Sequence, residues 1–249
     1  MNLKKRLANY HDNRIDYGII LTVLIICLIG LVVVYSTTAI IQNQGLGPTL
    51  QQALWYSVGA LVVIAVMQFD SEQYWKLSNY LYALGLILLV LVFFFHDRST
   101  AAETGAKSWF SVGPFSFQPS EVMKPALIIF LAKIITNHNS LFSQRTIRSD
   151  FQLIGKLLLA TAPVLILVQL QNDLGTNLVM LSILAGMILL SGISWKILVP
   201  SFLMASIVGG GLIALAVFFP ELLFKLGFKP YQLSRITTWI IPFQDTSGE

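Results

Sequence analysis

Residues 18–36, GIILTVLIICLIGLVVVYS, carry no charged side chain and match the roughly 20 residues a helix needs to cross a bilayer. Six further apolar runs follow, near residues 53–69, 80–95, 122–136, 153–170, 174–193 and 197–219. In hydrocarbon each backbone N–H and C=O must be satisfied within the segment, so runs of this length are expected as helices. The sequence therefore predicts an all-α fold, a polytopic transmembrane helix bundle with about seven spans, forming a single domain over residues 1–249 with an outer loop at 220–249. Composition points the same way. Only 11% of residues are charged, against about a quarter in soluble domains, and mean hydropathy is +0.73. The first run is longer than a signal-peptide core and lacks an obvious small-residue cleavage site, so it is expected as a retained span.

The basic residues orient the bundle. With the N-terminus inside, the inner segments hold Lys4, Lys5, Arg6, Arg14, Lys76, Lys133, Arg145, Arg148, Lys156 and Lys196. The outer segments hold Arg98, Lys107, Lys124, Lys225, Lys229 and Arg235. This excess predicts a cytoplasmic N-terminus. It also places three polar segments outside: residues 105–124, the 171–176 turn and the tail after the last run. The net charge of +4 gives no nucleic-acid signal, because the cations lie between apolar runs. Cys27 is the single cysteine, so no internal disulfide can form. His11, His96 and His138 show no metal-ligand spacing.

The most polar internal stretch is GAKSWFSVGPFSFQPSEVMK, residues 105–124. Gly105, Gly113, Pro114 and Pro119 favour turns. Ser120 is a candidate cap for a helix starting near Glu121, and Lys124 lies three residues on, on the same helix face. Such a loop can be no more than a capped connection with Trp109 as an interfacial anchor. The alternative is a polar mouth for a lipid-borne substrate, with Lys107 and Lys124 facing phosphate oxygens. QNDLGT, residues 171–176, joins two spans with almost no loop; Asp173 suits a helix cap and also a functional carboxylate near the membrane. RITTWIIPFQDTSGE, residues 235–249, offers Arg235 and Asp245, the latter also an ordinary turn residue.

Taken together, these three segments resemble the SEDS family of polytopic membrane proteins. The matching features are Gly-Ala-x-x-Trp at 105–109, Gln-Pro-Ser-Glu at 118–121 with Lys124 three residues on, Asp-Leu-Gly-Thr at 173–176, and the Arg-Ile, Pro and Asp pattern ending at Asp245. The first span resembles the family's as well, with a closer likeness to the elongation branch than to the division branch. Family members generally have ten spans, so the chain resembles the first two-thirds of one.

The resemblance implies a peptidoglycan glycosyltransferase of the bacterial cytoplasmic membrane that polymerises lipid II, an undecaprenyl-pyrophosphate-linked disaccharide-pentapeptide. It implies Asp245 as the catalytic carboxylate. Lys107, Trp109, Glu121, Lys124, Asp173 and Arg235 are the implied substrate-binding residues. A divalent cation, Mg2+ or Mn2+, is compatible with such a carboxylate. The implied partners are a class B penicillin-binding protein and other elongation-complex membrane proteins, with no nucleic acid. Two rival functions use the same residues differently: a lipid II flippase and a non-catalytic scaffold of the elongation machinery.

Overall fold

The computed structural model describes residues 16–41, 46–97, 101, 105–112, 115–142, 146–219 and 221–222. Among them, seven α-helices follow the apolar runs in order. The chain divides into two units, Met1–Ser71 and Glu72–Glu249.

In the first unit, α1 (Tyr17–Tyr35) begins at Asp16, whose carboxylate accepts from the amides of Gly18 at 2.8 Å and Ile19 at 3.3 Å. These amides have no partner within the helix, so the side chain fixes its start. Residues Ser36–Ile41 continue it as a π-helical turn, and Thr37 and Thr38 donate their hydroxyls back to Val33 and Val34 carbonyls. Helix α2 (Gly47–Met67) has Pro48 in its first turn, where the missing N–H costs no intrahelical bond. Gly30 lets α1 and α2 approach: a Cβ there would lie 2.6 Å from the Tyr56 hydroxyl. Neither helix has a buried side chain, and α1 is apolar on every face, as a lipid-facing span is.

The second unit holds α3 (Ser71–Phe95), whose first residue closes the first unit, and then a two-stranded antiparallel hairpin of β1 (Phe110–Val112) and β2 (Phe115–Phe117). Helices α4 (Pro119–Leu141), α5 (Ile147–Leu170), α6 (Leu174–Leu190) and α7 (Trp195–Phe218) follow. Met123, Leu127, Leu131 and Ile135 recur every four residues along α4 and form the spine of the core, with Leu153, Leu157, Val164 and Val168 from α5 and Met180 and Leu184 from α6. Gly85 of α3 sits against Met123, and Tyr82 stacks on Phe130 at 4.1 Å while donating to the Ala160 carbonyl at 2.6 Å.

The all-α polytopic bundle is as expected, and two finer expectations, two helix starts and the cap of α4, need correction. The second and third helices start at Gly47 and Ser71, well before the apolar runs do. Less apolar opening turns extend them: residues 47–52 in α2, and in α3 a stretch with an exposed Glu72–Lys76 pair at 3.0 Å. Five helices, α1, α2, α3, α5 and α7, are long and apolar enough to cross a membrane; α6 has 17 residues, and α4, carrying Glu121, Lys124 and Lys133, is not among the five. Ser120 does not cap α4. The helix begins at Pro119 with Gln118 as the flanking residue, and the buried Ser120 hydroxyl has no partner among the described residues.

Candidate functional site

Helix direction brings the α3–α4 connection and the α5–α6 turn to the same end of the second unit. The path between them is built by hydrogen bonds. Beyond α3, the Asp97 amide donates to the Trp109 carbonyl at 2.9 Å, and His96 pairs with Phe110 as an isolated bridge. The Lys107 amide then donates to the Gln171 carbonyl at 2.9 Å. Gln171 is itself buried, and its side-chain amide donates to the Leu89 carbonyl at 3.0 Å, near the end of α3. The next residue, Asn172, has φ 60°, a left-handed conformation that asparagine tolerates better than most residues and that turns the chain without a longer loop.

Asp173 closes this turn. Its Oδ1 accepts the Thr176 amide at 3.0 Å and caps α6. Its Oδ2 accepts the Thr176 hydroxyl at 2.8 Å and the Gln118 side-chain amide at 2.8 Å. Gln118 therefore reaches across to the turn instead of capping its own helix, and its amide nitrogen also lies 3.4 Å from the Thr176 hydroxyl. One turn up, Asn177 donates to Gln169 at 2.7 Å.

The cationic side chains lie outside this bonded layer. Lys107 is exposed and Trp109 half-buried. Glu121 and Lys124 form the expected i, i+3 pair, with Lys124 Nζ 2.7 Å from Glu121 Oε1 and side-chain exposures of 24% for Lys124 and 55% for Glu121. The structure thus gathers the segments bearing Lys107, Trp109, Glu121, Lys124 and Asp173 at one end. Arg235 and Asp245 lie outside the described residues. Two features are missed in the sequence reading. One is the hairpin, signalled by FSV and FSF on either side of Gly113-Pro114. The other is Gln118, a polar residue immediately before a helix-starting proline, for which the local pattern suggests no role.

Such an end offers ammonium donors to an anion, an aromatic face to a sugar or isoprenoid, and a carboxylate whose two oxygens are already engaged. Among the described residues, no group of three or more His, Cys, Asp or Glu side chains is placed to hold a metal ion.

Helices apolar enough to span a membrane, with a polar end built from two short connections, define a multi-pass membrane protein. The chain belongs to the FtsW/RodA/SpoVE family, whose model, described as "Cell cycle protein", matches residues 17–249. Stage V sporulation protein E of Bacillus subtilis (strain 168) is 30% identical over 237 residues, 94% of this chain and 59% of that protein. A "Probable peptidoglycan glycosyltransferase FtsW" of Hydrogenovibrio crunogenus is 28% identical over 238 residues, 94% of this chain and 56% of the relative. The chain therefore spans little more than half the length of these curated relatives. Among solved structures, the rod shape determining protein RodA of Thermus thermophilus superposes with a TM-score of 0.61 at 26% identity, over 80% of this chain and 60% of RodA. A second, described as "Structural coordination of polymerization and crosslinking by a peptidoglycan synthase complex", gives 0.66 at 28% identity over 95% of this chain and 62% of that one.

Proposed function

We propose that the protein built on this chain polymerises lipid II at the outer face of the bacterial cytoplasmic membrane. One observation carries this: hydrogen bonds join the 105–118 and 171–173 segments at one end of the unit, which also bears Lys107, Trp109 and Lys124. The substrate has a sugar, a pyrophosphate and a polyprenyl tail, and that end offers a partner for each. Relatives named peptidoglycan glycosyltransferases support the same reaction.

In this reaction the acceptor sugar hydroxyl attacks the donor's anomeric carbon from the face opposite the leaving group. The glycosidic C–O bond forms as the bond to pyrophosphate breaks, with inversion. The hydroxyl proton passes to a carboxylate, assigned here to Asp245 from its place in the family pattern, and the electron pair leaves with the lipid pyrophosphate. Lys107, Lys124 and Arg235 meet the charge that grows on the pyrophosphate oxygens. Glu121 keeps Lys124 oriented, Trp109 packs on the sugar or the lipid, and Asp173 holds the two segments together beneath them. A divalent cation would find a ligand oxygen in Asp245; when bound, it would supply further charge on the pyrophosphate. The N-terminus lies in the cytoplasm, supported by the bias of Lys and Arg toward the inner segments. The cross-linking partner is a class B penicillin-binding protein, supported by the similarity to a synthase complex that couples polymerisation to cross-linking. Cell elongation is the assigned process, supported by the first span and the RodA superposition.

Incubating the purified full-length protein with purified lipid II, with and without EDTA, tests this directly. Glycan polymer is the expected product. Movement of labelled lipid across liposomes without polymer would replace the polymerase with the flippase.

A further inference from the structure

We infer that Gln118 and Asp173 form a latch, and that Asp173 serves the reaction as a positioning residue rather than by touching substrate. The inference rests on the polymerase reading for its functional half. Its structural half stands on the bonds alone.

The Asp173 carboxylate has three donors: the Thr176 amide at 3.0 Å, the Thr176 hydroxyl at 2.8 Å and the Gln118 amide at 2.8 Å. Two come from its own helix and would serve a plain cap. The third crosses 55 residues of sequence and ties the start of α4 to the start of α6. Gln118 leaves the first turn of α4 without a side-chain cap, although a capping residue there would stabilise the helix. Its amide goes to the tie instead. Three donors occupy most of the carboxylate's roughly four acceptor sites, so its oxygens are engaged within the protein. What it sets is position. Glu121 and Lys124 lie in the first and second turns of α4, and Lys107 hangs from the same 171–173 turn through the Gln171 carbonyl. Releasing the latch therefore uncouples the Lys107 side from the Lys124 side.

Charge exchange across the latch separates the two roles. Gln118→Glu sets two carboxylates against each other, and Asp173→Asn sets two amides together. The double variant restores one acceptor and one donor with their places exchanged. The amide oxygen at position 173 then accepts the Thr176 amide and still caps α6, while the amide nitrogen there donates to the carboxylate at position 118. The Thr176 hydroxyl, already 3.4 Å from the Gln118 amide, turns to the same carboxylate.

Two readouts are taken on each variant. The first is the rate of thiol labelling of Ser108→Cys in a Cys27→Ser background of this chain; Ser108 is 1% exposed beside Lys107. The second is polymer formation by the full-length protein. Gln118→Glu should speed labelling and cut polymer formation on the order of 30-fold, the scale of losing one charge-assisted hydrogen bond. Asp173→Asn should cut it by roughly 3- to 10-fold, because an amide still caps the helix. The double variant should return labelling to the slow rate and polymer formation to within about threefold of wild type. Slow labelling with polymer still absent in the double variant would overturn the inference, because substrate would then need the charge at position 173. Labelling that never responds to Gln118→Glu would overturn it too. A wild-type protein that makes no polymer counts against the polymerase and leaves the labelling result to decide the latch.

Discussion

The two ends of the second unit each bury a layer of bonded polar residues, and the two layers tie different elements together. At the end away from the hairpin, His138, Ser149 and Asp150 are each more than nine-tenths buried. Lys156 Nζ lies 3.3 Å from His138 Nδ1, and His138 Nε2 lies 2.9 Å from Ser149 Oγ. Phe142 packs on the imidazole at 4.6 Å. Asp150 accepts the Ser194 amide at 3.0 Å, and Asn139 donates to the Ser191 carbonyl at 3.1 Å, so both ends of the α6–α7 connection are tied down. The buried polar groups of this end are spent on one another, with Arg148 and Lys196 exposed beside them. The hairpin end has an equally bonded base, in Gln118, Gln171, Asp173 and Thr176, but it leaves Lys107, Glu121 and Lys124 outside that base. Polar groups that satisfy each other hold helices together; polar groups left over are available to a ligand.

The difference predicts that changes at the hairpin end cost activity and changes at the other end cost stability. The largest effect belongs to Asp245→Asn in the full-length protein, which keeps the shape and removes the proton acceptor. Polymer formation should fall by at least about 100-fold with the melting temperature unchanged. Asp150→Ala should do the reverse. It leaves the Ser194 amide without its acceptor and should cost about 1–3 kcal/mol, read as a fall in the melting temperature of the detergent-solubilised chain, while activity per folded molecule holds. Gly85→Ala pushes a methyl group toward the Met123 sulfur, which is flexible enough to move aside, so the loss should be about 1 kcal/mol. Glu72→Gln breaks only an exposed pair and should change stability by less than about 0.5 kcal/mol. An Asp150→Ala protein that melts normally yet makes no polymer would erase the distinction between the ends.

The helices were legible because a lipid-facing span leaves a long apolar run, as in residues 18–36. The starts of α2 and α3 were not, because Gln51, Gln52 and Glu72 belong to polar opening turns that an apolar window discards. The Glu121–Lys124 pair followed from i, i+3 spacing, and the Asp173 cap from its place before an apolar run. The Gln118–Asp173 bond spans 55 residues and leaves no local pattern. The buried layer at the other end was hidden for the same reason: His138, Ser149 and Lys156 meet across α4 and α5, and the scattered histidines gave no spacing to read.

The central claim is that the hairpin end receives a pyrophosphate-bearing lipid, and its most direct test needs no catalysis. Binding of undecaprenyl pyrophosphate to this purified chain can be measured for the wild type, for Lys107→Ala combined with Lys124→Ala, and for Asp150→Ala. Saturable binding is expected for the wild type, binding weakened at least about tenfold for the lysine variant, and unchanged affinity per folded molecule for Asp150→Ala. Equal affinity in the wild type and the lysine variant would contradict the claim.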